Sequence, residues 1–254
     1  MSGFFKTGYI VRFAGSREEV RAALRLRYEV FNLELNEGLA TSHAEGLDED
    51  EFDAVCDHLI IQESSSGAVV GTYRMQTGAM AERNLGFYSA REFDMSIFEP
   101  LRGEIVELGR ACVHKDHRSI VVISLLWKEL VRYVMSHQGR YMIGCSSLTS
   151  QDPALGKAMY LRFEREKYLV EEALRTLPMP DFALPDVEPL AESPPPPKLL
   201  RAYLGVGAKI CAPPAIDREF KTIDFLTMID SRNSSPIATE RFVERPKKEG
   251  ISSP

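Results

Sequence analysis

Glu104-Ile-Val-Glu-Leu-Gly-Arg-Ala-Cys-Val113 reads as a strand that carries a carboxylate, Glu107, and a guanidinium, Arg110, among apolar residues. After the polar His114-Lys-Asp-His-Arg118, the apolar pattern predicts a helix over 120–137, and 141–148 reads as the next strand. Upstream, a short strand is expected at 9–13, and Ser16 with Glu19 three residues on forms a capping box that starts a helix at Arg17. The apolar positions Val20, Leu24, Tyr28, Phe31 and Leu35 give that helix one buried face, with Arg27 at its edge. Strands at 58–63 and 68–76 are joined by the turn Ser64-Ser-Ser-Gly67, and a short helical piece is expected over 92–98. Downstream, Asp152-Pro153 opens a helix to about residue 168, 199–208 reads as helix and 222–229 as a final strand. The order is mixed α/β in one domain, a central sheet with flanking helices, and not the strict alternation of a doubly wound sheet.

The 254 residues, 44% hydrophobic with a net charge of −6, suffice for a sizeable core and exclude a collagen, a disordered chain or a disulfide scaffold. Cys56, Cys112, Cys145 and Cys211 lie far apart without metal-ligand spacing, as in a reduced, cytoplasmic chain. No secretory signal is visible, and the longest apolar run, 120–134, is broken by Ser124, Lys128, Glu129 and Arg132, so no membrane span is expected. Eight of the 15 prolines fall within 178–197, which makes that segment an irregular connection. One domain over 1–240 followed by a flexible polar tail, 241–254, is the expected organisation.

A buried Glu107 has two readings: a structural ion pair with Arg74 or Arg27, or a general base toward an amine that must lose a proton to attack. Alternation puts residues 107 and 110 on opposite faces unless a bulge, for which Gly109 is the natural site, brings both to one. Asp50 and Asp53, three apart with Phe52 between them, suit an ammonium group, although an acidic run is commonly a solvated loop. Between Arg110 and Arg140 six cations face two acids, an excess of four positive charges in an acidic chain, which suggests an acidic partner or an ordinary basic helix face. Lys115, Arg118, Lys128 and Arg132 are the candidates for such docking. Tyr160 is a candidate proton donor to a leaving thiolate and Cys145 a small side chain beside the substrate or in the core. The histidines lack metal spacing, so no metal is expected, and no nucleic-acid signature occurs.

Taken in order, Arg27-Tyr-Glu-Val-Phe31, Asp50-Glu-Phe-Asp53 running into Cys56-Asp-His-Leu59, Gly71-Thr-Tyr-Arg74 and Glu107-Leu-Gly-Arg110 resemble the ornithine lipid N-acyltransferases. These are GNAT-superfamily enzymes, often labelled hemolysin-like, and the related acyl-homoserine-lactone synthases show a similar order. The resemblance implies a single GNAT-like domain whose 104–113 and 141–148 strands splay around the donor's pantetheine arm, with backbone N–H groups polarising the thioester carbonyl. It implies that Arg27, Phe31, Asp50, Asp53, Arg74, Glu107 and Arg110 gather at the active site. Glu107 would be the base, Arg74 and Arg110 would hold it ionised, and Asp50 and Asp53 would bind the acceptor's ammonium groups. Loops such as 79–100 and 178–197 would line the acyl pocket. The donor implied is the acyl-phosphopantetheine of acyl carrier protein, with no bound cofactor, because 117–122 lacks the glycines with which coenzyme A-dependent relatives wrap a pyrophosphate. The acceptor implied is an amino acid, ornithine first, and the product of a medium or long acyl chain, 3-hydroxylated or not, would favour peripheral contact with the inner membrane. Competing readings are an acyl-homoserine-lactone synthase using S-adenosylmethionine, a coenzyme A-dependent acetyltransferase, and a non-catalytic acyl- or membrane-binding module.

Overall fold

The structure, a computed structural model, describes residues 8–232. Its strands are β1 (Tyr9–Phe13), β2 (Asp57–Glu63), β3 (Val69–Thr77), β4 (Ile105–Val113), β5 (Tyr141–Leu148), β6 (Lys209–Ile210), β7 (Ala215–Asp217) and β8 (Thr222–Asp230). Its α-helices are α1 (Arg17–Tyr28), α2 (Gly78–Arg83), α3 (Ile120–Ser136), α4 (Pro153–Arg165) and α5 (Lys198–Gly205). The strands form one sheet in the order β1-β2-β3-β4-β5-β8-β6, with β7 also on β8. Every pairing is antiparallel except that of β4 with β5.

Alternation along the strands separates two faces. Val106 and Met142 lie with Leu59, Ile61, Tyr73 and Met75 beneath α3, whose Val122, Leu126, Trp127, Leu130 and Tyr133 recur at helical spacing. Ser119 caps that helix by accepting the Val122 N–H. Ile105, Tyr141 and Ile143 face the other way, against Phe87, Phe93 and Phe98. A third cluster, around Met159, Phe163, Leu200, Leu204 and Phe225, seats α4 and α5.

Several expectations are corrected. The α1 stripe does not continue to Leu35: Glu29–Glu34 is a π-helical turn in which the Leu35 N–H reaches Val30 O, burying Val30, Phe31 and Asn32 together and leaving Leu35 exposed. The helical piece expected over 92–98 is found only from Ser96 on, because Phe93 bridges to Pro178 and the Met179 N–H donates to Glu92 O, which keeps 92–95 out of a helix. The other helical turns of this region are α2 and Tyr88–Arg91 before it, and the turn begun at Ser96 runs on to Glu104. Gly78 permits the close packing there, since a Cβ would stand 1.8 Å from Arg102 O. Ser16 caps α1 by accepting the Glu19 N–H as expected, and the Glu19 carboxylate is held mainly by Arg12 and the Gly15 N–H. The β6 and β7 strands are too short to show a period and were not anticipated. The proline-rich segment is irregular, with a 3₁₀ turn at Pro180–Phe182 and bridges from Pro178 and Ala183 back to the body. The tail at 241–254 lies outside the described residues.

Candidate active site

β4 and β5 pair only where Ile105, Val106 and Glu107 face Tyr141, Met142 and Ile143. Beyond Glu107, β4 stays with β3 while β5 stays with β8, so a gap opens between them. Gly144 stands at its apex, where a Cβ would lie 2.1 Å from Leu108 O. The bulge expected at Gly109 falls one residue later: the β3–β4 register shifts between Thr72 and Arg74, and Arg110 adopts φ 49°. Its consequence is the expected one, because Glu107 and Arg110 come to the same face, opposite α3.

A cavity of about 690 Å³ runs through the gap. On the α3 side its wall is apolar, built by Tyr73, Leu126, Trp127, Leu130, Met142 and Tyr203. On the other side it meets Tyr88, Ser89, Glu107 and Arg110 and ends among carboxylates. The expectation that loops 79–100 and 178–197 form the apolar pocket is corrected, since the sheet, α3 and α5 supply most of it.

Glu107 is 5% exposed and lines the cavity. Its Oε2 accepts from Gln76 Nε2 at 2.6 Å and the Tyr88 N–H at 2.7 Å, and its Oε1 accepts from the Ser89 N–H at 2.8 Å. Three of about four lone-pair sites are thus occupied, which fixes the carboxylate and leaves acceptor capacity for a ligand. Arg74 and Arg110 were expected to hold Glu107; the structure gives that task to Gln76 and the backbone of the Tyr88–Arg91 turn.

The two arginines are committed elsewhere. Arg27, 1% exposed, donates to Asp48 through Nε at 2.7 Å and to Asp53 Oδ1 through Nη1 at 2.6 Å. Arg74 Nη1 pairs with Asp50 and lies 3.1 Å from Asp53 Oδ1, while Arg110 reaches Asp50 Oδ2 at 3.0 Å and Asp48 Oδ1 at 3.3 Å. Three guanidinium groups and three carboxylates make a balanced, buried cluster. Burial opposes charge on Asp53, but Arg27 and Arg74 outweigh it and hold the carboxyl well below its usual range; Arg110 and Arg27 do the same for Asp48. Asp50 also caps the Glu51–Ala54 turn, accepting the Phe52 N–H. The acceptor-binding role expected for Asp50 and Asp53 is therefore corrected: their charge is spent on arginines, and neither lines the cavity. Above them Arg74 lies 5.0 Å and Arg110 4.9 Å from the Tyr88 ring centroid, so the cluster props the residue whose N–H holds Glu107.

Of the remaining candidates, Phe31 lines the cavity edge-on to Phe220, with ring centroids 5.5 Å apart. Cys145 lines it too, with Sγ 3.7 Å from Ser89 Oγ and a thiol pushed well up by burial and by neighbouring carboxylates. Tyr160 packs in the α4 cluster with Leu148 and Tyr168, away from the cavity, so the proton-donor role is corrected. Arg118 forms a bidentate pair with Glu34, and Arg132 pairs with Glu129, which halves the basic patch. Lys115 and Lys128 are exposed and, among the described residues, in no ion pair.

Sequence reasoning missed Asp48, Gln76 and Tyr88. It also missed Glu92, Asp217 and Asp224, which the fold brings together at the cavity's polar end with carboxylate oxygens within 4.8 Å of one another. A signal existed, since Asp224 is a charge inside an apolar strand, as Glu107 is.

A strand pair splayed around a buried carboxylate, with an apolar chamber on one side and a polar one on the other, defines a GNAT-type acyltransferase. Residues 26–128 match the family described as acetyltransferase (GNAT) domain. An N-acyl amino acid synthase from uncultured soil microbes shares the fold with a TM-score of 0.54, at 10% identity over 89% of this chain and 93% of that one. In sequence, the chain is 34% identical over 237 residues to the L-ornithine N(α)-acyltransferase of Brucella abortus, spanning 86% of this chain and 83% of that protein. It is 31% identical over 253 residues to that of Rhodobacter capsulatus, spanning 95% and 97%. The chain belongs to the L-ornithine N(α)-acyltransferase family. Among the described residues no helix is long and apolar enough to cross a membrane.

Proposed function

We propose that the chain moves a medium or long, 3-hydroxylated acyl group from acyl carrier protein to the α-amine of ornithine. The observation that carries this reading is the position of Glu107, fixed by three donors where the cavity passes from its apolar to its acidic chamber. The acyl chain lies against Leu126, Trp127, Leu130 and Tyr203, and the thioester sits in the β4–β5 gap. Backbone N–H groups of β4 beyond Glu107 polarise its carbonyl. The acceptor's ammonium loses a proton to Glu107, directly or through a water, and the free amine attacks the carbonyl carbon. As the C–N bond forms and the C–S bond breaks, the second amine proton leaves and the thiolate recovers a proton.

A carrier protein as donor is supported by the α3 N-terminus. Ser119 Oγ occupies the Val122 N–H, Ile120 is 75% exposed and Arg118 is held by Glu34 and Val113 O, so little there suits a pyrophosphate. Lys115 and Lys128 suit an acidic carrier. Exposed Leu35, Ile123 and Leu199 rim the cavity, next to Ile120 and Val121, and favour peripheral contact of the amphiphilic product's exit with the inner membrane.

The test uses purified protein with 3-hydroxyacyl carrier protein, the matching coenzyme A thioester and ornithine. Transfer from the carrier at least tenfold faster than from coenzyme A, lost on Glu107→Gln, is expected. An unchanged pH–rate profile in Glu107→Gln would remove Glu107 as the base, and equal use of both donors would remove the carrier preference.

A further inference from the structure

The acidic end of the cavity has no part in the acyl transfer described above. Glu92, Asp217 and Asp224 are buried, come from three separate segments and line the same cavity as Glu107. Asp217 is partly satisfied: its Oδ1 accepts the Glu219 and Phe220 N–H groups at 2.9 and 2.8 Å. Asp224 Oδ2 accepts from the Thr222 hydroxyl at 3.0 Å. By contrast Glu92 Oε2 and Asp224 Oδ1 are buried without a well-formed hydrogen bond: the two carboxyl groups face one another, with the Ser147 hydroxyl near Asp224, and a buried carboxylate oxygen so poorly met is costly to maintain. Among the described residues no arginine forms an ion pair with them, because Arg74 and Arg110 are paired with Asp48, Asp50 and Asp53, and Arg110 acts on Glu92 only at longer range. Glu37, also buried and lining the cavity, adds a further acid. Unmet acceptors of one sign in a cavity wall call for a cation with several N–H donors.

The cluster is also placed relative to the reacting centre. The turn whose Tyr88 and Ser89 N–H groups hold Glu107 continues to Glu92, whose N–H donates to Ser89 O. Cys145 lines the same cavity, with Sγ 3.7 Å from the Ser89 hydroxyl and a thiol pushed up by burial and then by Glu92 and Asp224. One ligand in this cavity can therefore meet both Glu107 and the acidic cluster.

We propose that Glu92, Asp217 and Asp224 form the subsite for the acceptor's second, side-chain ammonium group, and so select a diamino acid over one with an apolar side chain. The inference rests on the reading of the acceptor as an amino acid acylated at its α-amine. The three carboxylates accept hydrogen bonds from the three N–H groups of an ammonium, and an isostere without that nitrogen leaves them unpaired again.

Ornithine is compared with norvaline, the same skeleton without the side-chain nitrogen, in wild type, Asp224→Asn and Glu92→Gln. Wild type should prefer ornithine at least 100-fold in kcat/KM. Each variant should lose tenfold or more of the ornithine value and keep the norvaline value, so that the preference collapses. A preference unchanged in both variants overturns the proposal. Calorimetric binding of 1,4-diaminobutane separates this result from failure of the acceptor reading. If wild type acylates no amino acid but binds the diamine, and Asp224→Asn and Glu92→Gln do not, the subsite stands and the acceptor is wrong. Equal or absent diamine binding in all three proteins overturns it, as does one-site binding of Mg2+, Mn2+ or Ca2+ alone that excludes the diamine. Circular dichroism confirms that each variant is folded.

Discussion

Replacing Asp53 by Asn keeps the shape of the side chain and removes one charge from the buried cluster. Asp53 Oδ1 accepts from Arg27 Nη1 at 2.6 Å and Arg74 Nη1 at 3.1 Å, and its Oδ2 accepts from Arg27 Nη2 at 3.1 Å and the Asp50 N–H at 2.9 Å. Both oxygens therefore face donors, and whichever way the new amide is turned, its NH2 group meets an N–H. One positive charge is also left unbalanced beside a fully buried Arg27. Removing one partner of such a buried pair costs about 3–5 kcal/mol. With a urea slope of about 2 kcal/mol/M, the unfolding midpoint should fall by about 2 M. The pH dependence carries the same signature. Asp53 has a folded pKa below its unfolded value, so its contribution is present above about pH 4 and is lost as pH falls through the depressed value. Wild type should therefore lose stability below pH 4 more steeply than Asp53→Asn. Activity should fall as well, because Arg74 props the Tyr88 turn that holds Glu107. A midpoint shift under about 0.5 M, or identical acid limbs, would refute the view that the cluster is charge-balanced and buried.

The acidic triad predicts the opposite sign. Burial and mutual repulsion raise Glu92 and Asp224 above their unfolded values, so stability is fully present below about pH 4 and declines as pH rises through the raised values. Asp224→Asn should then be more stable than wild type at pH 7, by about 1 kcal/mol, and the gain should vanish in acid, as thermal melts at both pH values will show. Gly144→Ala sets a Cβ 2.1 Å from Leu108 O, so the strands must part at the apex. A loss of about 2 kcal/mol in stability and of at least 100-fold in kcat/KM is expected from denaturation curves and initial rates. Replacing Lys115 and Lys128 together by Glu should raise KM for the acyl carrier protein about tenfold at low salt and leave a small acyl thioester unaffected, as steady-state assays with both donors will show.

The parts of this site that were legible in the sequence are those declared by local pattern. Glu107 and Arg110 stand out because a charged side chain in an apolar strand must be partnered; their odd spacing sets them on opposite faces, and only Gly109 hinted at the bulge that unites them. Which partners they take was not legible. The choice of Gln76 and two backbone N–H groups for Glu107, and of Asp48 and Asp50 for Arg110, depends on where the Tyr88–Arg91 turn and the 48–53 segment settle over the sheet. The α1 stripe misled beyond Tyr28 because a π-helical turn changes the period without any proline or glycine to mark it. The triad was invisible for a different reason: Glu92 is more than a hundred residues from Asp217, and only sheet closure by β7 and β8 brings them together.

Mass spectrometry of lipid extracts bears most directly on the central claim, using a host without amino-acid lipids that expresses either wild type or Glu107→Ala. The account predicts a new acyl-ornithine with wild type and none with the variant at equal levels of folded protein. A new lipid of equal abundance from both, or none from wild type with acylated carrier protein present, would contradict it.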